Sequence, residues 1–412
     1  MPRQVLFEAT FEAKGLLVRA DLLIPAKKGW HMVEVKSSAK VKDYHIEDAA
    51  IQSWVAREAG LKLANISLLV VDTKWTYAGG NDYSGLLKVE PIDDHIRPLQ
   101  AEVPKWLKAA QKIAIGTEPK VNMGKHCNDP FACGFQEYCE TLAPPVEYPI
   151  SWLPRFQGKK LAAVEAAGIV DLRHVPVEGL TDTQRRVHQA TLNNEIHFEP
   201  LSKKELKQFA GTRYYLDFET ISFAVPIWAG TRPYQQVPFQ YHCDIESSDG
   251  SRSSAMFLDI SGGDPSRACA EALISMLGNS RKERPIIAYN AGFEKQVIKA
   301  LAARFQDLAP KLNRLADRVV DLLPLVVAHY YHPAMRGSWS IKSVLPTIAP
   351  DLAYSKLDEV SDGGGAQSAY LEAIHESTTQ GRKMTLENAL VAYCKRDSEA
   401  MIRVLHHLQG NS

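Results

Sequence analysis

The 412-residue sequence lacks an excess of charge of either sign, since it contains 48 Lys+Arg and 48 Asp+Glu residues. Because the charges balance, any basic surface that binds nucleic acid must be local. The sequence also lacks a long apolar run. The N-terminus, MPRQVLFEATFEAKG, has no apolar signal-peptide core, and VVDLLPLVVA is short and contains Asp321 and Pro324. We therefore expect a soluble, cytoplasmic protein with no membrane partner.

Cysteine is scarce as well, with six residues in the whole chain. This number excludes a disulfide-rich secreted scaffold, in which cysteine is far denser. Three cysteines nevertheless lie close together in HCNDPFACGFQEYC, a clustering that is typical of metal ligation: Cys127, Cys133 and Cys139. The other three are scattered among apolar residues, where we expect small buried side chains: Cys243, Cys269 and Cys394.

The sequence shows no internal repeat or low-complexity tract, and its length is typical of two or three domains. Residues 1–145 predict an α/β domain, because the helix pattern IEDAAIQSWVAREAGL stands among the strand patterns LLVRADLLI, WHMVEVKS and ISLLVVD. Residues 146–210 contain short helical patterns, one of them capped by Thr181 or Asp182. They are expected to form a small helical connector.

Residues 211–412 again place strand patterns before helix patterns, which predicts a second α/β domain. The predicted strands are RYYLDFET, VPFQYHCDI, SSAMFLDI and PIIAYN, and the last helix is TLENALVAYCKRDSEAMIRVLHHL. The stretch SDGGGAQ is expected to be a flexible loop.

Charged residues on two consecutive strands of the first domain form a first candidate site. Asp21 lies in VRADLLIP, and Glu34 and Lys36 follow in VEVKS, where alternation puts both on one face. Two carboxylates can hold a divalent cation, and the nearby ammonium can orient water or stabilise developing charge. The alternative is an ordinary salt bridge between Lys36 and one of the acids.

Asp217 and Glu219 in LDFET stand two apart on a hydrophobic strand, so both carboxylates point to one face, and burial there requires a positive partner. Downstream, Glu294 begins a helix after PIIAYN, and Asp397 occupies an apolar stripe of the last helix. Asp397 alone fits a cap or local salt bridge better than a metal site. The four converging carboxylates together favour a two-cation Mg²⁺ or Mn²⁺ site. Tyr393, one turn before Asp397, is placed to hydrogen-bond the attacking water.

Three further residues are candidate nucleic-acid contacts. Asn290 stands at the strand–helix turn, Lys342 precedes a helix in GSWSIKSVLP, and Arg232 accompanies aromatic residues in GTRPYQQVPFQYHCDI. A simple helix cap and a plain hairpin are the alternatives for the last two.

The first site resembles the PD-(D/E)XK core of RecB-like nucleases, through ADLLIP, EVKSS and DAAIQSWVAREAG. This resemblance implies a restriction-endonuclease-like fold in which Asp21 and Glu34 bind metal and Lys36 and Gln52 are catalytic. HCNDPFACGFQEYC resembles the cysteine cluster of iron–sulfur members, which have four cysteine ligands. No cysteine precedes Cys127, so the fourth ligand is an upstream residue outside this sequence, or His126, or absent; a zinc site and free thiols are the other possibilities.

The second site is similar to the DEDD exonucleases of the RNase H-like superfamily, in the tyrosine-containing subgroup. The similarity rests on the Asp-x-Glu strand, the Asn290-x-x-x-Glu294 junction and the Tyr393-x-x-x-Asp397 helix, with Glu294 where the family has Asp. It implies a two-metal 3′–5′ exonuclease and adds Asp321 as a further acid. The whole arrangement resembles an uncharacterised bacterial family that fuses these two nuclease domains, with a connector similar to a degenerate helix-hairpin-helix or a plain spacer.

Sequence and resemblance together predict a metal-dependent nuclease that acts on nucleic acid, DNA rather than RNA. The alternative is a nucleic-acid-binding protein in which one or both sites are inactive. Cleavage of labelled DNA and RNA separates the two.

Overall fold

The structure is a computed structural model, which describes residues 4–142, 145–278, 284–354, 357 and 359–410. The chain divides by its internal contacts into two compact units. The first unit contains residues 1–145 and 222–235, and the second contains residues 146–221 and 236–412. Both units combine helices with sheets, so the predicted α/β class is confirmed. No helix in the described part of the chain has both the length and the apolarity needed to cross a bilayer.

The first unit has a five-stranded sheet in the order β1-β2-β3-β4-β5, in which only β3 and β4 are parallel. Helix α1 packs on the sheet with an alanine-rich face that includes Ala49 and Ala50, both fully buried. The elements are β1 (Leu6–Ala13), β2 (Leu16–Ala26), β3 (Gly29–Lys36), α1 (Asp43–Glu58), β4 (Leu63–Val71), β5 (Leu87–Pro91), α2 (Asp93–Leu99), α3 (Val103–Ile115), a 3₁₀ helix (Lys125–Asn128) and α4 (Gln136–Leu142).

The second unit begins with a helical region whose side chains share a core with the later strands and helices. Leu172 and Val187 from this region contact the same core as Tyr215, Ile287 and the last helix. Its elements are 3₁₀ helices (Ile150–Trp152, Leu172–His174 and Lys207–Phe209), α5 (Lys159–Ala166), α6 (Asp182–Asn193), β6 (His197–Phe198) and α7 (Lys203–Leu206). The expected division at residues 146–210 and 211–412 stays a prediction.

The main sheet of the second unit has the order β11-β10-β7-β8-β9. β7, β10 and β11 are parallel, and β8 and β9 continue the sheet antiparallel on the other side of β7. The elements are β7 (Arg213–Ile221), β8 (Val237–Glu246), β9 (Arg252–Leu258), α8 (Ser266–Leu277), β10 (Ile286–Ala288), α9 (Gly292–Arg304), α10 (Ala309–Asp317), β11 (Val319–Asp321), α11 (Leu323–His329), β12 (Tyr330–Tyr331), α12 (Ile341–Ile348), α13 (Gly363–Ile374), α14 (Gln380–Leu408) and 3₁₀ helices (Pro333–Met335 and Pro350–Leu352).

Strand β7 is the centre of this sheet, and its alternating side chains separate a core face from a polar face. Leu216 and Phe218 are buried in a core built with α8, α9 and α10. Asp217 and Glu219 lie on the opposite face, as the two-residue period predicts, and helix α14 packs against that strand. The core face supplies apolar burial, which allows the other face to carry charge.

Local capping explains one confirmed and one incorrect prediction. Thr181 caps α6, because its hydroxyl accepts from the Gln184 backbone N–H at 3.3 Å. SDGGGAQ is not a loop: the Asp362 carboxylate accepts from the Gly365 N–H at 2.8 Å, and residues 363–365 form the first turn of α13. The prediction failed because an N-cap offsets the low helix propensity of a few glycines.

The segment between β12 and α12 turns sharply at Gly337, which has a φ of +78°. A Cβ added at Gly337 would lie 1.8 Å from the Trp152 carbonyl oxygen, a contact with backbone that no side-chain rotation relieves. The Gly337 N–H donates to the Tyr331 hydroxyl at 3.1 Å. Both the conformation and the space at this position therefore require glycine.

We expect Gly337→Ala to lower the free energy of unfolding by about 2 kcal/mol or more, because strain and steric overlap add. Gly381→Ala is the control: Gly381 lies in the first turn of α14 with open space around its Cβ position. This change should be neutral or stabilise the protein by up to about 1 kcal/mol. Urea unfolding measures both, and equal stabilities of the two variants would contradict the assignment.

Candidate functional site

Three carboxylates meet on the polar face of the second unit's sheet, and we call them the acid cluster: Asp217, Glu219 and Asp397. Asp217 and Glu219 come from β7, and Asp397 comes from α14. One oxygen from each lies within 4.8 Å of the others. Among the residues that the structure describes, no other group of three or more His, Cys, Asp or Glu side chains meets this criterion.

Burial and mutual repulsion disfavour ionisation of these acids. Burial raises the pKa of Glu219 to about 8, and the charge of Asp397 adds to the increase. The pKa of Asp217 is raised by burial and then by its acidic neighbours. Burial raises the pKa of Asp397 only to about 6, because hydrogen bonds from Tyr354 and Tyr393 and the charge of Lys342 oppose it. An added cation would remove this electrostatic cost.

The acid cluster opens into a pocket of about 250 Å³, which we call the acid pocket. Tyr289, Phe293 and Tyr393 line its walls together with Lys342. The Lys342 ammonium lies 5.3 Å from the ring centroids of both Tyr354 and Tyr393, and it donates to the Ser361 carbonyl at 2.8 Å. Lys342, predicted as a nucleic-acid contact, is thus also a positive charge near the acid cluster, and it opposes the increase in the pKa of Glu219 and Asp397.

Tyrosine and cysteine side chains hold the carboxylates of the acid cluster in place. The Tyr354 hydroxyl donates to Asp397. The Cys394 thiol lies 3.5 Å from a carboxylate oxygen of Asp217, and burial raises its pKa so that it stays protonated and donates. Sequence reasoning missed Tyr354, which is distant in sequence, and treated Cys394 only as a buried apolar residue.

Glu294, in the first turn of α9, is buried and its Oε2 atom has no hydrogen-bond partner. Burial raises its pKa to about 8, and the charges of Asp321 and Asp397 contribute. A buried carboxylate oxygen without a partner is the kind of group that a cation would satisfy. Glu294 is near enough to the acid cluster to raise the pKa of Asp217 and Glu219, although it lies outside the 4.8 Å group.

Asp321 and Asn290 are joined by a hydrogen bond at the turn before Glu294, and their predicted roles as metal ligand and nucleic-acid contact stay predictions. The Asp321 Oδ1 atom accepts from the backbone N–H groups of Asn290 and Leu323, both at 3.0 Å. These bonds join the end of β10 to the start of α11 and support Asn290 in a left-handed conformation with φ of +63°. Asp321 thus shapes the turn before Glu294, and Asn290 is exposed at that turn.

The predicted first site is brought together in the first unit. Asp21 accepts from the Val35 N–H at 2.7 Å, and Gln52 donates to the Glu34 carboxylate at 2.8 Å. The Lys36 ammonium lies 3.7 Å from Glu34. The Asp21 backbone N–H also donates to Glu34 at 3.4 Å, so Asp21, Glu34, Lys36 and Gln52 lie close together on β2, β3 and α1.

Asp48 is a further member of this group that the sequence reasoning missed. Its carboxylate is 2.6 Å from the Lys36 ammonium, closer than Glu34. Its position four residues before Gln52 on α1 places both on one helix face, a signal that could have identified it. Burial raises the pKa of Glu34 to about 7, with a contribution from Asp21. Burial opposes the charge of Lys36, but the hydrogen bond to Asp48 raises its pKa overall.

The predicted cysteine ligands lie in the segment that precedes and includes α4. Cys127 is buried, Cys139 is half-buried and Cys133 is exposed, and the Cys133 N–H donates to the Cys127 carbonyl at 2.7 Å. Their three sulfur atoms do not form a compact ligand group in the described residues. A ligand set formed by these thiols therefore stays a prediction.

Arg232, the remaining predicted contact, belongs to the first unit although it lies between β7 and β8 in sequence. Its segment, residues 222–235, pairs with the loop after β4: the Tyr77 N–H donates to the Thr231 carbonyl, and the Gly230 N–H donates to the Tyr77 carbonyl at 2.7 Å. Arg232 is exposed at this turn. Sequence reasoning did not identify this packing of the segment between β7 and β8, and the role of Arg232 stays a prediction.

The raised pKa of Glu219 predicts how pH changes stability in EDTA. Between its usual value of 4.5 and its folded value of about 8, the native protein binds more protons than the unfolded chain, so ionisation lowers stability as pH rises. As the pH rises from 5 to 8, wild type should lose stability that Glu219→Gln keeps. The unfolding free energy of the variant should therefore increase by about 2–4 kcal/mol relative to that of wild type over this range.

Glu387→Gln is the control for this measurement, because Glu387 is exposed on α14. Urea unfolding at both pH values should show no pH-dependent difference between this variant and wild type. A Glu219→Gln variant that behaves like the control would contradict the raised pKa.

Comparison with known proteins finds one family. A model described as a domain of unknown function (DUF2779) matches residues 214–340. The matched range carries Asp217, Glu219 and Glu294 and ends before Lys342 and Asp397. No curated protein and no solved structure matches the chain. Over less than a third of its length, the chain is therefore similar to a family whose description assigns no function.

Proposed function

We propose that the chain is a metal-dependent nuclease that hydrolyses phosphodiester bonds of nucleic acid, DNA rather than RNA, and that its second unit is a 3′–5′ exonuclease. The observation that carries the proposal is the convergence of Asp217, Glu219 and Asp397 from β7 and α14. Buried carboxylates that raise each other's pKa are poor structural elements but good ligands for Mg²⁺ or Mn²⁺.

The residues fit such an ion without rearrangement of the fold. Asp217, Glu219 and Asp397 would hold it, and the unpartnered Oε2 atom of Glu294 is available beside them. A bound divalent cation would polarise a phosphodiester and lower the pKa of a bound water. Cys394 and Tyr354 orient the carboxylates of Asp217 and Asp397, so the ligands are positioned before any ion arrives.

Two other groups of the acid pocket suit phosphodiester chemistry. Lys342 supplies a positive charge that can approach a phosphate, and Tyr393 lies beside Asp397, where its hydroxyl can orient a water. The aromatic walls formed by Tyr289 and Phe293 can contact a terminal base or sugar. Together these groups support an exonuclease that accepts one strand end.

The sheet supports the finer fold assignment of the second unit. An RNase H-like domain places its Asp-x-Glu pair on a central strand, between antiparallel strands on one side and parallel strands on the other. β7 has this position, with β8 and β9 on one side and β10 and β11 on the other. In the first unit, the restriction-endonuclease-like proposal is supported by the placement of Asp21, Glu34 and Lys36 on β2 and β3.

Lys36 favours a second candidate function for the first unit. Its ammonium is bound by Asp48 and lies near Glu34, so it is paired as in an ordinary salt bridge. A first site whose lysine is occupied in this way would bind nucleic acid without cleaving it. Cleavage is therefore assigned to the acid cluster. The first unit is either a second nuclease or a nucleic-acid-binding domain.

The test uses single- and double-stranded DNA and RNA labelled at the 5′ or 3′ end. The DNA substrates should be shortened from the 3′ end in Mn²⁺ and not in EDTA, and the RNA substrates should be shortened more slowly. Asp217→Asn should reduce this rate about 100-fold or more, because it removes a metal ligand. Asp317→Asn is the control, since Asp317 is exposed on α10. Gel electrophoresis with labels at each end gives the polarity.

Lys36→Ala, tested in parallel, separates the two sites. Loss of an activity that Asp217→Asn retains would identify a second nuclease in the first unit. No cleavage by wild type of any substrate in Mn²⁺ or Mg²⁺, with binding retained, would refute the enzyme proposal.

A further inference from the structure

A second cavity of the second unit lies next to the acid pocket, and we call it the basic groove. It has a volume of about 670 Å³ and is formed by the segment before α12 and by the first turns of that helix. Its polar lining consists of two cations, a histidine and three hydroxyl groups: Arg336, Lys342, His332, Ser338, Ser343 and Thr347. In the described part of the chain, no carboxylate lines it.

Lys342 lines both the basic groove and the acid pocket, so the two cavities meet at this residue. They have opposite chemical character. The acid pocket presents Asp217, Glu219 and Asp397, whereas the basic groove presents Arg336 and hydroxyl groups. A ligand that extends from the acid pocket into the basic groove therefore needs a group that binds the carboxylates through a cation. Its other end must be an anion that the basic groove can bind.

The basic groove is held rigidly, as a binding surface requires. The Tyr289 hydroxyl donates to the Trp339 carbonyl at 2.6 Å, and the Trp339 indole donates to the Tyr330 carbonyl at 2.9 Å. Arg336 is exposed, and its guanidinium lies 5.7 Å from the Trp152 ring centroid. Within the described ranges no carboxylate forms a salt bridge with Arg336, so its hydrogen-bond donors are available to an anion.

We propose that the basic groove binds the sugar–phosphate backbone of the strand whose terminal phosphodiester lies at the acid cluster. Arg336 would contact a phosphate on the 5′ side of the scissile bond, with Ser338 and Ser343 as further donors. This inference rests on the proposed nuclease function and adds the substrate's second contact point. Because the strand must reach from the acid cluster to Arg336, the preferred substrate is a single strand several nucleotides long rather than a dinucleotide.

Binding tests the groove without cleavage. The probe is a fluorescein-labelled 20-nucleotide single-stranded DNA in EDTA, followed by fluorescence anisotropy at several salt concentrations. Arg336→Gln should weaken binding about fivefold at 0.1 M salt and reduce the slope of log K against log salt by about 0.7, the loss of one phosphate contact on a single strand. Arg336→Lys should restore the slope, because it keeps the charge.

Arg314→Gln is the matched control, because Arg314 is an exposed arginine of α10 that does not line the groove. It should bind like wild type. Arg336→Gln, Arg336→Lys and Arg314→Gln should all keep the wild-type unfolding temperature, because both arginines are exposed and no variant introduces glycine. Equal affinity and salt slope for Arg336→Gln and Arg314→Gln would overturn the groove proposal.

Activity separates failure of the groove from failure of the enzyme. The kcat/KM for the 20-nucleotide strand is divided by that for bis(p-nitrophenyl) phosphate, a small diester that reaches only the acid pocket. Arg336→Gln should lower this ratio about fivefold through the loss of one phosphate contact, and Arg314→Gln should not. Cleavage of both substrates with an unchanged ratio would refute the groove. Absence of cleavage with Arg336-dependent binding would refute the nuclease and retain the groove.

Discussion

Repulsion among buried carboxylates is the constraint on which the second unit depends. Asp217 and Glu219 are fixed on one face of β7 by the period of the strand, and packing of α14 brings Asp397 to the same place. The opposite face of β7 is apolar and buried, and this burial stabilises the sheet against the repulsion among the carboxylates. Lys342 and the Tyr354 hydroxyl reduce the repulsion without abolishing it.

The first unit resolves a similar problem differently. Glu34 is as buried as any acid of the second unit, yet Gln52 donates to it and Lys36 lies close by. Asp48, whose side chain is about half exposed, completes an ion pair with the lysine. Charges that neutralise one another have less need of an external ion than charges of one sign, so the acid cluster is the stronger candidate for metal-dependent chemistry.

Much of this arrangement follows from local sequence patterns. Alternation in LDFET placed Asp217 and Glu219 on one face, and the apolar stripe of the last helix identified Asp397 as a buried misfit. Tyr354 could not be found this way, because its contact with Asp397 joins residues far apart in the chain. Asp48 was within reach of helix periodicity. The glycines of α13 were misread because the Asp362 cap acts on backbone groups that composition does not reveal.

The segment of residues 222–235 has a consequence for the way the chain can be divided. It leaves the second unit at the end of β7, packs with the first unit, and returns to begin β8. The chain therefore passes between the units three times, at residues 145–146, 221–222 and 235–236. A fragment that ends at residue 145 loses the buried Trp228, and one that starts at residue 146 keeps a segment deprived of its own packing partners. Cleavage or recombination at the first boundary alone therefore separates residues 222–235 from the unit with which they pack.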